Sequence, residues 1–467
     1  MQKTFSAPAR CAAHHCARLP AALSALRRGD NARENLHSEY YTTKIGLRKG
    51  FLYDNINSLS GIAANRMLSG LILFFRKGDA HMLKKVGAYA LDFLRRADLI
   101  LLLLCCAASI FGLIVISSAT KTYDSGSFVA VQTGAFLLGI AVFVLFTVLD
   151  VDVLADKWAI LYIFSAVLIL LLRTPLGYED DTGNRAWLRF FGIGIQPAEI
   201  VKVLFILVMA KHMSYLKEFK RLDSVISVGQ LFVHFLLPTG LLIWASRDLG
   251  SALVYLFIFI TMLFVSGLKV YWFLIGAAGI AAVMPIVWSK VLKQYQKDRI
   301  LAPYIPDVVD PTGYGITWQP NQSKLALASG QLTGTGLGQG PQTQSSSLPA
   351  KHTDFIFAVI GEELGMIGCL ICILLLMLIL VRCIYIGIKS KNTMSLLVCT
   401  GVAASIFFQT FLNTGMCMGI APVIGITLPF FSYGGSSTLA LFAAMGMVSS
   451  VKYRAKPERF RRYSGGI

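Results

Sequence analysis

From about residue 98 the chain alternates long apolar runs with short polar, often basic, stretches. A helix needs about 17–25 mostly apolar residues to cross a bilayer core. Runs of that kind lie at 98–118, 127–148, 157–173, 197–215, 229–246, 250–267, 270–289, 355–381, 394–415 and 426–450. Only Ser246, Arg247 and Asp248 separate the fifth from the sixth. The pattern predicts an all-α polytopic integral membrane protein with about ten transmembrane helices. A large polar loop, 290–353, divides spans seven and eight and is rich in Gly, Gln, Ser and Pro. Loops of that length are usually functional or disordered. This one carries helix-like text around Gln319–Ser329 and then a Gly-rich stretch. No lysine follows the glycines as in a Walker loop, so they do not predict a nucleotide site.

Residues 1–81 break the pattern: they are polar and basic, with one short apolar patch at Leu71–Phe75. From Met82 the text becomes MLKKVGAYALDFLRRADLILLLL, a natural start for a membrane protein. Met82 is therefore expected to be the initiator; the alternative is a flexible cytoplasmic tail. The chain divides into a basic N-terminal extension (1–91), a polytopic membrane domain (92–455) and a basic tail (456–467).

Charge sets orientation. The formal net charge is +18, which in a soluble chain would suggest nucleic acid. Here the chain is 55% hydrophobic, and Lys and Arg gather in loops and at the ends. That is the footprint of cytoplasmic flanks facing anionic lipid, so no nucleic acid is expected. Arg95 and Arg96, the Lys211–Arg221 cluster, Lys389 and Lys391, and the basic C-terminus all fall on one side of ten spans. Both termini are thus predicted to be cytoplasmic, with 174–196 and 290–353 outside. The nine cysteines form no framework. Cys369 and Cys372 lie inside an apolar run and read as packing residues. Cys11, His14, His15 and Cys16 make a weak metal-like cluster.

Candidate chemistry gathers at the predicted outer ends. The stretch LPAKHTDFIFAVIGEELG, Leu348 to Gly365, carries His352, Thr353 and Asp354 into an apolar run that holds Glu362 and Glu363. Carboxylates in such a run are costly and mark function. Asp354 sits at the mouth, where partial desolvation would raise its pKa and suit a general base; helix capping is the plainer alternative. In GNRAWLRFFGIGIQPAEIVKV, Arg185 and Trp187 precede a helix bearing Glu199 and Lys202 on one face. Arg185 and Lys202 would hold an anionic phosphate, or Glu199 and Lys202 form an internal ion pair. Asp248 is either a helix N-cap or a cavity carboxylate. Lys324 is either a phosphate partner or a solvated surface lysine. Gly434, Gly435, Ser436 and Ser437 open the tenth span, and Pro422 and Pro429 mark a non-helical outer loop before it.

Four motifs in order carry a family resemblance: GNRAWL with QPAEIVK, DLGSAL, LPAKHTDFIFAVIGEELG and PVIGITLPFFSYGGSS. Together they resemble the SEDS family (shape, elongation, division and sporulation), which includes FtsW, RodA and SpoVE. The likeness spans about residues 92–455. It implies a peptidoglycan glycosyltransferase that polymerises lipid II, the undecaprenyl-pyrophosphate-linked disaccharide-pentapeptide, at the outer face of the bacterial cytoplasmic membrane. It also implies a class B penicillin-binding protein as partner, with other elongation or division proteins. Asp354 stands at the family's essential aspartate, and Trp187 and Arg185 match its first motif. Ala350, Ala198 and Arg247 depart from the common pattern, and Arg247 puts the local turn geometry in question.

The expected reaction is an inverting sugar transfer with Asp354 as base. Arg185, Lys202, Lys324 or a divalent cation would face the leaving pyrophosphate; no cofactor is otherwise implied. Glu199, Asp248 and Glu362 would organise the cavity. Two other readings fit ten spans with internal charges: a lipid II flippase, and a non-catalytic scaffold for the penicillin-binding protein.

Overall fold

The computed structural model describes residues 91–454, except 124, 180–183, 191–192, 220 and 346. The cluster at Cys11–Cys16, the Leu71–Phe75 patch, the Met82 start and the 456–467 tail lie outside the described residues. The elements are α1 (Leu99–Ala119), α2 (Ser125–Val148), the short α3 (Val151–Asp156) and α4 (Trp158–Leu170), which tightens into a 3-10 turn at Leu171–Arg173. Strands β1 (Gly177–Tyr178), β2 (Trp187–Phe190) and β3 (Ile193–Ile195) follow, then α5 (Pro197–Glu218), α6 (Val225–Ser246), α7 (Leu249–Ser266) and α8 (Val270–Ile286). The polar loop folds into α9 (Gln294–Leu301), α10 (Pro306–Val309), α11 (Trp318–Gly330) and α12 (Pro341–Gln344). The chain closes with α13 (Ile356–Ser390), α14 (Thr393–Cys417) and α15 (Gly435–Tyr453).

Among the described residues the fold is all-α apart from one small antiparallel sheet, β1-β2-β3, which periodicity did not predict. Seven of the described helices are long and apolar enough to cross a membrane, and α4 with its 3-10 turn is a shorter apolar helix. The predicted spans at 197–215 and 426–450 correspond to α5 and α15, neither of which is among the seven. Alternating direction then puts the C-termini of α1, α4, α6, α8 and α14 at the same end as the loop helices α9 to α12.

Small residues let the helices approach closely. A Cβ on Gly446 of α15 would come 2.7 Å from the Phe143 carbonyl oxygen of α2. Across the same pair, Gln132 donates to Thr438 Oγ1 at 3.0 Å and accepts from the Gly434 amide at 3.0 Å. At the opposite end Asp98, fully buried, ties three helices together. It caps α1 through the Leu101 amide and pairs with Arg382 of α13 at 2.7 Å and Lys452 of α15 at 3.2 Å. Burial alone would raise its pKa; Arg382, the Leu101 amide and Lys452 outweigh that and hold it below the usual value.

Two span boundaries need correction. The tenth span, α15, begins at Gly435, not 426. The text before it is apolar because it is buried, as Leu428, Phe430 and Phe431 show; Pro422 and Pro429 lack the N–H that a helix would use. The eighth runs to Ser390 rather than 381, and it is broken at Gly365 (φ 68°, ψ −166°). The residues 331–336 fill the break. Thr335 and Gly336 amides donate to the Glu362 and Glu363 carbonyls at 3.0 Å each, and the Met366 amide donates to the Gln331 carbonyl at 2.9 Å. Gly334 adopts φ +82°, and a Cβ there would strike the Glu363 carbonyl. Broken backbone at such depth is tolerated when protein groups re-pair it. The glycines of the loop therefore serve docking on α13.

Candidate active site

Asp354 lies two residues before the start of α13. The helix cap position is Phe355, without a side-chain cap bond, so Asp354 does not cap it. Its backbone is held from behind. Asn413 of α14 donates to the Asp354 carbonyl at 2.7 Å and to the Ile426 carbonyl at 2.7 Å. Ser432 donates to the Thr353 carbonyl at 2.7 Å, and the Tyr433 amide donates to the His352 carbonyl at 2.8 Å. The helix α14 and the loop that follows it thus fix three consecutive residues between them. The Asp354 carboxylate itself is half-buried, and no described donor bonds its oxygens. Gly425 leaves it room: a Cβ there would lie 3.6 Å from Oδ2. Burial, and next the charge of Asp248, push its pKa up to about 6 against the pull of Arg299.

Asp248 caps α7, accepting from the Ser251 amide at 2.9 Å and the Ser251 hydroxyl at 2.6 Å. Its pKa is also raised, by burial first, with Glu199 adding to it against the Ser251 bonds. Asp248 is thus the N-cap of α7, and it is not among the residues that line the polar cavity around Glu199. Arg247, before it, caps α6 in the left-handed region at φ 61°. That conformation makes the sharp turn which its departure from the family pattern had put in question.

Glu199 and Lys202 are both buried and pair at 2.7 Å. With Gln196, Ser251, Tyr255, Gln409 and others they line a polar cavity of about 20 Å³, space for about one water. Ser437 approaches Glu199 at 3.5 Å, while Ser436 accepts from the Gln196 amide at 3.1 Å and ties α15 to the start of α5. Arg185 lies elsewhere. It pairs with Glu179 at 2.6 Å and lines a separate pocket of about 260 Å³ with Arg173, Ala245 and Arg247. The structure does not bring Arg185 and Lys202 to one phosphate pocket, because the hairpin β2–β3 lifts Arg185 out of the bundle while α5 carries Lys202 into it. Trp187 sits in β2, half-buried, opposite Tyr178 in the β1–β2 pairing and against Gly194 of β3.

Glu362 and Glu363 face the polar loop that precedes α13. Glu362 accepts from the amides of Gln342 and Thr343 at 2.7 and 2.8 Å, from the Thr343 hydroxyl at 2.6 Å and from Ser329 at 3.3 Å. Glu363 accepts from Ser118 at 2.5 Å and Gln344 at 3.0 Å. Both acids anchor the loop, Glu362 with four bonds and Glu363 with two. Lys351, also buried, donates to Thr122 at 2.9 Å and to the Thr343 carbonyl, completing the lock. His352 lies edge-on to Phe128 and Tyr433, with centroids at 5.2 and 5.7 Å. Its Nδ1 has no described partner, and burial, then Lys351, lower its pKa, so the ring is neutral. Thr353 Oγ1 bonds the Ala350 carbonyl at 3.2 Å. Lys324 is exposed on α11, packed over Gly419.

Sequence reasoning missed Arg299. It lies on α9 in the polar loop, and only its place in the basic text QKDRIL hinted at a role. No group of three or more His, Cys, Asp or Glu side chains is placed to hold a metal ion among the described residues.

The site can be set beside known proteins. The FtsW/RodA/SpoVE profile, described as "Cell cycle protein", matches residues 97–457. Peptidoglycan glycosyltransferase MrdB of Escherichia coli K12 is 34% identical over 361 residues, 77% of this chain and 94% of that one. A probable peptidoglycan glycosyltransferase FtsW of Trichlorobacter lovleyi is 33% identical over 360 residues, 76% and 92% of the two chains. A solved chain from a peptidoglycan synthase complex that coordinates polymerization and crosslinking superposes with TM-score 0.65 at 29% identity, covering 77% of this chain and 98% of that one. The rod shape determining protein RodA of Thermus thermophilus gives TM-score 0.58 at 27% identity, with coverage of 77% and 98%. Motif order, helical architecture and relatives matched over nearly their whole length agree: this chain is a multi-pass membrane protein of the FtsW/RodA/SpoVE family.

Proposed function

We propose that the protein is a peptidoglycan glycosyltransferase that polymerises lipid II at the outer face of the bacterial cytoplasmic membrane, with both termini cytoplasmic. The observation that carries the chemistry is the Asp354 carboxylate, left without hydrogen-bond donors among the described residues and raised to about 6 by burial and Asp248. Such a group is ionised at neutral pH yet basic enough to accept a proton. Asp354 takes the proton of the acceptor's GlcNAc 4-hydroxyl as that oxygen attacks the anomeric carbon of the donor's MurNAc. The bond from that carbon to the pyrophosphate oxygen breaks, the oxygen keeps the electron pair, and the anomeric centre inverts. Asp354 then returns its proton to solvent. Burial does most to raise that pKa, Asp248 adds to it, and Arg299 opposes both.

The catalytic unit is the membrane domain, 92–455. A class B penicillin-binding protein is the expected partner; the likeness to a chain of a polymerising and crosslinking complex supports it. The test is purified protein with lipid II, read as glycan polymer on a gel, beside Asp354→Ala. Wild-type polymer that disappears in the variant supports the reading. Normal polymer from Asp354→Ala would falsify the base assignment, and lipid movement without polymer in the wild type would point to a flippase.

A further inference from the structure

The cavity of about 20 Å³ between α5, α7 and α14 offers more hydrogen-bonding capacity than its walls use. Gln409 of α14 is buried, and its Oε1 has no partner among the described residues. Lys202 of α5 is also buried. Its ammonium carries three N–H bonds, and among the described residues it meets one acceptor, Glu199 Oε2 at 2.7 Å. Ser437 approaches that same oxygen at 3.5 Å, so no described donor reaches Glu199 Oε1. Two other walls are occupied. The Tyr255 hydroxyl donates to the Ala198 carbonyl at 2.7 Å, and the Ser251 hydroxyl donates to Asp248 at 2.6 Å. Two acceptors and an unspent donor are left facing one small space, and buried polar groups are seldom left unpaired.

A cavity of this size admits about one water, and a buried water makes about three hydrogen bonds. One water here would accept from the Lys202 ammonium and donate to Gln409 Oε1 and Glu199 Oε1. All three deficits then close at once, and the bridge ties α5 to α14.

The bridge lies beside Asp354. Gln409, Asn413 and Cys417 recur every four residues and so share one face of α14. Asn413 donates to the Asp354 and Ile426 carbonyls, and Cys417 Sγ lies 3.8 Å from the Asp354 carbonyl oxygen. Gly425, Ile426 and Thr427 are cavity walls. Gly425 adopts φ +69°, and a Cβ there would lie 3.6 Å from Asp354 Oδ2. It therefore borders both the cavity and the carboxylate.

We propose that this cavity is the site of one ordered water and that Gln409, acting through that water, is a positioning residue for Asp354. By tying α14 to α5, the water fixes the space against which the 425–427 turn packs, and with it the Gly425 backbone beside Asp354 Oδ2. A base must lie within hydrogen-bond reach of the proton it takes, and a small displacement lowers the rate steeply. The positioning role rests on the glycosyl-transfer reading; the water site does not.

The experiment uses the full-length protein in lipid nanodiscs. A structure at a resolution that shows ordered waters is expected to place one within hydrogen-bond distance of Lys202 Nζ and Gln409 Oε1, and the structure of Gln409→Met is expected to lack it. Initial rates of polymerisation are then measured over a range of lipid II concentrations. Gln409→Met keeps the length of the side chain, removes the acceptor and is expected to lower kcat by about tenfold with KM unchanged. Gln409→Glu keeps an acceptor oxygen at the same reach and is expected to retain the water and most of kcat, which separates loss of the bridge from damage to the fold. A cavity without water, in a map that shows waters elsewhere in the bundle, overturns the site. Unchanged kcat in Gln409→Met overturns the positioning role, and so does a rise in KM alone, which would make Gln409 a substrate contact. If Gln409→Met does not fold, loss of the water or of kcat in folded Gln409→Glu overturns the proposal. The water is read without turnover, so failure here is distinct from failure of the polymerase reading, in which the wild type forms no polymer.

Discussion

Asp354 and the pair Glu362–Glu363 come from one short stretch of sequence, and the structure treats them in opposite ways. Glu362 accepts four hydrogen bonds and Glu363 two, all from polar groups that pin the outer loop to α1 and α13. Asp354 has its backbone fixed by Asn413, but its carboxylate oxygens receive no described donor. A buried acid that accepts hydrogen bonds from the scaffold is structural, since any change leaves those donors stranded. An acid held in place with its lone pairs unused, and raised to about 6, is available for proton transfer. The conspicuous glutamates hold the scaffold, and the less conspicuous aspartate is what the scaffold presents.

Substitutions can break that contrast. The largest effect belongs to turnover. Asp354→Asn is expected to lower polymerisation of lipid II by roughly 10²–10⁴-fold, the range for a lost general base, while the protein stays folded by thermal unfolding. A milder loss would make the two kinds of carboxylate less different than their bonding suggests. Next is stability at the lock. Glu362→Ala strands the Gln342 and Thr343 amides and the Thr343 hydroxyl, at a cost of about 3 kcal/mol or more. Its Tm should fall clearly, and activity should fall only as folded protein is lost.

A smaller effect has the opposite sign. The Asp354 pKa is raised above 3.8 in the folded state, so ionising it costs stability as pH rises through the window from there to about 6. Asp354→Asn should therefore stabilise the protein above pH 6, by on the order of 1–2 kcal/mol after discounting for partial exposure. The gain should vanish below about pH 4; a Tm difference that does not change with pH would remove the desolvation argument. The smallest effect is at Lys324. An exposed side chain of this kind usually changes stability or rate by about twofold or less. A Lys324→Ala variant with a much larger loss of polymerisation would restore it as a phosphate partner.

Much of this was legible in the sequence, for physical reasons that differ from element to element. The spans were legible because bilayer thickness imposes a length on apolar runs. Asp354 was legible as a mouth residue because the polar text stops there. The break at Gly365 was not: a glycine inside an apolar run reads as tolerated, and only the pairing of Thr335, Gly336 and Met366 across it shows a gap filled by a distant loop. The same loop's glycines looked uninformative until their close approach to α13 gave them a task. Burial of the loop before α15 mimicked a span, so the helix start was misplaced by apolarity that prolines contradicted. Arg185 and Lys202 looked like partners because linear spacing cannot show that a hairpin parts them. Arg299 acts on Asp354 across more than fifty residues, a contact that no local pattern encodes.

In the proposed mechanism, burial and Asp248 raise the pKa of an otherwise unbonded Asp354, and its ionisation governs catalysis. The most direct test is the pH dependence of lipid II polymerisation in the wild type and in Asp248→Asn. The wild type should lose activity as pH falls, with an apparent pKa of about 6. The variant's limb should move to lower pH, because a neighbouring negative charge has been removed. A wild-type limb near the ordinary carboxylate value, or one that Asp248→Asn leaves in place, would contradict the claim.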